Sequence, residues 1–268
     1  MEMLIGNYSM NSTFAFCTIT YGDKYINLGD TIINQLTSLG YTFYVLTTDV
    51  DRYKNNKNVV VVPYTHPYFS FHQKRVIVRE CLKSFDSAIF LDADVFLSNQ
   101  SINLNNFSDA LPGLHIFATF GNIGLTFLNS DVNRCERLEY RNTKYGDHGR
   151  KKLESLNLKY KKSYHASNEL DYLEHYLEGK WILKKDDGNE LLFLDIWDSL
   201  VDMCENIDMD LGFFNTIGAG EGAVMSIAAY NSNIKTYCGG NLTRMINTHF
   251  ISNYQEKLNG TKPWNIAG

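Results

Sequence analysis

Two carboxylates separated by one small residue, Asp92-Ala93-Asp94, close the apolar run Ser87–Leu91. Hard divalent cations such as Mg²⁺ and Mn²⁺ take oxygen ligands and often bridge substrate phosphates. Two aspartates at this spacing repel each other beside an apolar strand unless a cation compensates. The chain carries three Asp-x-Asp triplets, at 49–51, 92–94 and 208–210. Their contexts differ. Asp49–Asp51 leads into the polar loop Arg52–Asn58, and Asp208–Asp210 follows the acidic segment Asp202–Glu205, so both read as solvated. Only Asp92–Asp94 follows a fully apolar run, and it reads as a metal site.

Three further positions could do chemistry. Glu221 stands in the glycine-rich turn Gly218–Ala223, just before the apolar stretch Val224–Tyr230. It reads either as a helix cap favoured by the macrodipole or as a carboxylate held beside a sugar under transfer. His249 precedes Phe250 at the end of an expected strand, as a structural hydrogen-bonding group or, with Asp92 and Asp94 nearby, a ligand. Lys262, in the turn Asn259–Trp264, is a point charge of the kind that binds phosphate. The acidic Asp186–Glu190 segment lacks the distal glutamate of a 12-residue calcium loop and reads as a turn.

The elements that must position these groups alternate. Phe14–Ile19 reads as a buried strand, and Ile32, Ile33, Leu36 and Leu39 recur at helical spacing between an Asp30 cap and a Gly40 stop. Tyr41–Thr47 and Asn58–Val62 read as strands, the second stopped by Pro63. A helix from about Phe71 to Ser84 and the strand Ser87–Leu91 follow. Such βαβ alternation predicts an α/β fold with a mainly parallel sheet, whose ligands bind beyond the carboxyl ends of strands. Gly121–Gly124 reads as a turn entering the strand Leu125–Leu128, and Asn168–Gly179 as an amphipathic helix.

The 268 residues, 44% hydrophobic and 21% charged, exclude disordered and fibrous classes. A net charge of −5 gives no reason to expect nucleic acid as a partner. Arg134–Lys162 holds ten Lys/Arg against four Asp/Glu, as a solvated helical insertion or a patch for an anionic acceptor or membrane surface. Five cysteines without a CxxC pair favour a reducing compartment. No signal peptide is legible in the first residues, and no apolar run approaches the roughly 18 residues of a spanning helix, so the expected location is cytoplasmic.

Five segments, in order, resemble glycosyltransferases of the GT-A fold, most closely the family 8 and glycogenin-like group. Phe16–Tyr25 is similar to the family's first strand and nucleotide-binding loop, and Gln73-Lys74-Arg75 to the region whose lysine faces the nucleotide sugar. Phe90–Asp94 resembles the Asp-x-Asp strand, and Gly121–Asn129 the Asn-x-Gly strand that contacts the donor sugar. His249-Phe250 with Gly260-Thr261-Lys262-Pro263-Trp264 resembles the carboxyl-terminal motif, here with a longer closing loop.

The resemblance implies a GT-A (Rossmann-like) single domain over 1–268 with a mixed, mainly parallel sheet flanked by helices. Residues 12–100 would form the nucleotide-binding half and 101–268 the acceptor-side half, with a basic helical insertion at about 131–190. It implies transfer from a nucleotide-diphosphate sugar, a UDP-sugar above all, to a glycan, protein or lipid, with retention. Asp92, Asp94 and His249 would hold Mn²⁺ or Mg²⁺. Thr18, Tyr21, Asp23, Lys74, Ala93 and Lys262 would border the nucleotide, and Asn122 and Glu221 the donor sugar. Glu221 stands where the family has an Asp-Gln pair. That departure keeps open a catalytically silent nucleotide- or carbohydrate-binding protein on the same fold. A sugar-nucleotide pyrophosphorylase would need a glycine-rich phosphate loop, where Tyr21–Leu28 holds only Gly22.

Overall fold

The computed structural model describes residues 13–67, 69–97, 110–118, 176–208, 221–238 and 248–250. The chain begins with β1 (Phe14–Thr20), α1 (Gly22–Ser38), β2 (Phe43–Thr47) and β3 (Val59–Pro63). A single 3₁₀ turn, Phe71–Gln73, leads into α2 (Lys74–Leu82), followed by β4 (Ser87–Leu91), β5 (Val95–Leu97) and β6 (Gly113–Ala118). After these come β7 (Tyr176–Lys184), α3 (Asn189–Asp208), α4 (Glu221–Ser232), β8 (Thr236–Cys238) and β9 (Thr248–Phe250).

Among the described residues seven strands form one mixed, mainly parallel sheet in the order β3-β2-β1-β4-β7-β6-β8, and β5 pairs with β9 apart from it. β1 is parallel to both β2 and β4, with Phe16 beside Phe43 on one side and Ile89 on the other. β7 runs against both of its neighbours, β4 and β6. The chain therefore leaves β1 towards β2 and β3, then returns to β4 on β1's other side. That reversal makes the carboxyl ends of β1 and β4 a switch point, where open α/β sheets leave a crevice.

Alternation along the strands builds a core on each face of the sheet. Phe14, Phe16, Phe43, Val45, Ile89, Leu91 and Ile182 pack with Ile32, Ile33 and Leu36 of α1. Ala15, Cys17, Ile19, Phe90, Trp181 and Leu183 pack on the other face with α2, α3 and α4. There the indole of Trp181 stacks on Phe90 at 5.6 Å. Burial holds the thiols of both Cys17 and Cys81 well above the ordinary range, Cys81 at about 12, so neither is reactive.

The sequence expectations fail in two places, each for a tertiary reason. Asp30 is not a cap, because α1 already starts at Gly22, whose φ of +67° turns the chain out of β1. The Asp30 carboxylate instead accepts from Arg52 Nε at 3.0 Å and from the Tyr53 hydroxyl at 2.9 Å. The helix expected over 168–179 ends in the wrong class. Tyr176–Lys184 is a nine-residue strand whose Trp181, Ile182 and Leu183 feed both cores in turn, so residues 176–184 belong to the sheet and not to a helical insertion. Residues 168–175, the expected strand Leu125–Leu128 and the basic Arg134–Lys162 segment lie outside the described residues. No helix among the described residues is long and apolar enough to cross a membrane.

Candidate functional site

Asp92 and Asp94 sit at the switch point, in the turn that joins β4 to β5. The Asp92 N–H donates to the Gly179 carbonyl at 2.9 Å, extending the β4–β7 ladder one residue past the strand. The Val95 N–H closes the turn on the Asp92 carbonyl at 3.4 Å. Between the carboxylates, Ala93 is 5% exposed because it packs towards Gly29 of α1, where a Cβ would stand 3.6 Å from its own. Further along, Leu97 donates its N–H to Gln35 Oε1 at 2.8 Å, tying β5 to α1. The spacer residue is thus fixed against the first helix, and both aspartates are held at the rim.

Lys74 supplies the opposing charge. Its ammonium lies 3.0 Å from Asp92 Oδ1, with the lysine side chain only 2% exposed and the aspartate 29%. The same ammonium stands over the Phe90 ring at 5.0 Å and the Phe71 ring at 5.7 Å. Asp94 is less favourably placed. Burial, and behind it the Asp92 carboxylate, push its carboxyl up to about 6. Two oxygen-donor side chains at one rim, one of them uncomfortable as an anion, fit a hard divalent cation that completes its shell with water and phosphate oxygens. Among the described residues no group of three or more His, Cys, Asp and Glu side chains gathers to hold a metal. The third expected ligand, His249, lies in β9, whose backbone pairs with β5 so that His249 is opposite Phe96, two residues past Asp94.

The other expected site residues are placed as follows. Thr18 is fully buried within β1, and among the described residues neither its hydroxyl nor that of Thr20 finds a hydrogen-bond partner. Tyr21, at the end of β1, is half-buried and packs edge-on against Tyr64 at 4.9 Å. Asp23 is exposed in the first turn of α1, where the macrodipole favours its charge. Glu221 is the first residue of α4. Asn122 and Lys262 lie outside the described residues.

Two features escape the sequence reading. Tyr21, Tyr25, Tyr64, Phe69 and Phe71 form one aromatic cluster beside the carboxyl ends of β1 and β3. Within it Tyr25 stacks on Phe69 at 5.8 Å, and Phe69 meets Phe71 edge-on at 4.7 Å. The density of rings between Tyr64 and Phe71, just after a strand end, was the available signal. The second is Lys180, level with Leu91 in the β4–β7 register, whose ammonium burial pulls down to about 8. A lysine in a stretch read as helix-then-turn carried no such signal.

No family model matches the sequence, and no curated protein matches it. Among solved structures, the chain is similar to an apo structure of the bifunctional glycosyltransferase WbbM, at 10% identity and a TM-score of 0.43. The match covers 96% of this chain and 53% of that one, so this chain spans about half the length of its structural neighbour.

Proposed function

We propose that this chain is a metal-dependent glycosyltransferase that uses a nucleotide-diphosphate sugar, with a UDP-sugar as donor. One observation carries the reading. At the switch point of the sheet, Asp92 and Asp94 share a rim with a buried lysine, one of the carboxyls is pushed up to about 6, and an aromatic cluster flanks them. That combination suits a ligand with a planar base at one end and a diphosphate at the other.

Asp92 and Asp94 would hold Mn²⁺ or Mg²⁺, with His249 as a further ligand. The ion, when bound, neutralises charge developing on the departing diphosphate. Lys74 adds a fixed positive charge on the same side. Tyr21 and its ring neighbours would border the base, and Thr18 of β1 and Asp23 of α1 would meet the nucleoside from the same end of the sheet. Ala93 sets the spacing of the two carboxylates through its contact with α1. In the transfer the bond from the anomeric carbon to the diphosphate oxygen breaks, and its electron pair leaves with the nucleotide. An acceptor hydroxyl on a glycan, protein or lipid forms the new bond and gives up its proton. Glu221 and Asn122 would orient the donor sugar, Lys262 would meet the diphosphate, and the outcome would be retention.

A thermal-shift screen of UDP-sugars with Mn²⁺ and with EDTA tests the proposal. A ligand that binds only the native state stabilises it by about 2.7 kcal/mol at a hundredfold excess over Kd. The expected result is a metal-dependent shift for one donor, accompanied by slow metal-dependent release of its sugar to water. A shift without any release would make the chain a silent binder. No shift with any nucleotide would overturn the reading.

A further inference from the structure

α2 continues the 3₁₀ turn Phe71–Gln73, which Ser70 caps by accepting from the His72 N–H at 3.3 Å, and it opens with Lys74 and Arg75. Arg75 is answered locally: its Nε donates to Asp198, and its Nη1 donates to the His72 carbonyl at 2.8 Å. Lys74 is 2% exposed, in contact with Asp92 at 3.0 Å and flanked by the Phe71 and Phe90 rings. An ammonium so thoroughly removed from water needs a counter-charge, and Asp92 provides one.

We propose that Lys74 is the internal counter-ion of the Asp92–Asp94 site, and that it makes divalent-cation binding conditional on the arrival of a nucleotide diphosphate. The inference rests on the functional reading above and adds an order of binding to it. In the free protein the ammonium already compensates half of the carboxylate pair. A divalent cation entering alone therefore meets one carboxylate whose charge is spoken for, and a positive group 3.0 Å from it. A diphosphate reverses the balance. Its negative charge engages Lys74, which releases Asp92 for the metal. Cation and diphosphate thus enter as a coupled pair, each tightening the other by the same factor. Free Mn²⁺ occupies the site only weakly ahead of the donor.

The test is calorimetric titration of Mn²⁺ into the wild-type chain and into Lys74→Met, each with and without UDP. The expected wild-type result is weak Mn²⁺ binding alone and binding at least about tenfold tighter with UDP, within the usual range of coupling between two sites. Lys74→Met removes the charge and keeps an unbranched side chain one atom shorter. It is expected to bind Mn²⁺ alone about tenfold more tightly than wild type, and to lose most of the enhancement by UDP. A variant that binds Mn²⁺ alone no more tightly than wild type overturns the inference, while wild-type binding of Mn²⁺ with UDP leaves the functional reading standing. Absence of any Mn²⁺ or UDP binding to wild type overturns both. Circular dichroism reports whether Lys74→Met is folded. Where it is not, the wild-type titration decides, and coupling below about threefold overturns the inference.

Discussion

A Cβ placed on Gly29 would stand 2.6 Å from Thr20 Cγ2. No side-chain carbon is tolerated that close, so α1 lies on β1 at a distance only glycine permits. The same approach brings Ala93 against the helix, and with it the two flanking aspartates. Gly29→Ala should therefore act on stability and on the site together. Overpacking costs about 1–3 kcal/mol, and the helix propensity of alanine returns about 1. The expected net loss is up to about 2 kcal/mol in urea unfolding, with weaker metal-dependent stabilisation by UDP. An unchanged midpoint and unchanged binding would show that Thr20 swings aside freely.

Asp94 makes stability depend on pH in the direction opposite to an ordinary surface aspartate. Its native carboxyl is raised to about 6, above its value in the unfolded chain, so the native state binds the proton more tightly. The stabilisation is complete below about pH 4 and is lost as pH rises through about 6. Across that window the change in stability is at most about 3 kcal/mol. In EDTA, Asp94→Asn should match wild type near pH 4 and be the more stable protein at pH 7. Its metal-dependent stabilisation by UDP should be absent at both. Melting curves that stay parallel from pH 4 to 7 would contradict the origin assigned to the raised carboxyl.

Asp198 ties α2 to α3 by accepting from two arginines, Arg75 Nε and Arg79 Nη2. Arg75 is 8% exposed, so removing its carboxylate strands a nearly buried guanidinium. Among the described residues Asp195 pairs with Arg79 alone, in an exposed position. Asp198→Ala should lower stability by about 1–2 kcal/mol, and Asp195→Ala by no more than about 0.5. Equal losses in chemical denaturation would mean that Arg75 finds water once its partner is gone.

How much of this was legible follows from where the determining forces lie. Phe14–Ile19 and Ser87–Leu91 declare themselves because a central parallel strand is buried on both faces and must be apolar throughout. The Asp-x-Asp pair was legible for the same reason, as polarity that abruptly ends such a run. The true start of α1 was not, because Asp30 looks like a cap but serves Arg52 and Tyr53 from a distant loop. Nor was β7, where Tyr176–Gly179 has helical spacing but the sheet has a gap between β4 and β6 that only a strand fills. The counter-charge on Asp92 was equally hidden. Lys74 is eighteen residues away, and nothing local to either residue says that a helix start will bring them to 3.0 Å.

β9 tests whether that site extends to the third expected ligand. The β5–β9 register sets His249 across from Phe96, so the chain carrying the imidazole runs beside the strand that leaves Asp94. Its neighbour Thr248 pairs with Leu97, one step further from the aspartates. A ligand role and a strand-pairing role predict different patterns across this pair. Loss of a metal-binding imidazole should weaken Mn²⁺ binding in the presence of UDP by about tenfold or more, while thermal stability in EDTA barely changes. Loss of strand pairing alone should lower stability in EDTA and weaken Mn²⁺ binding only in proportion. His249→Ala is expected to give the first pattern, and Thr248→Ala at most a small loss of stability. If the two variants behave alike, β9 holds the rim in place and its histidine is not a ligand.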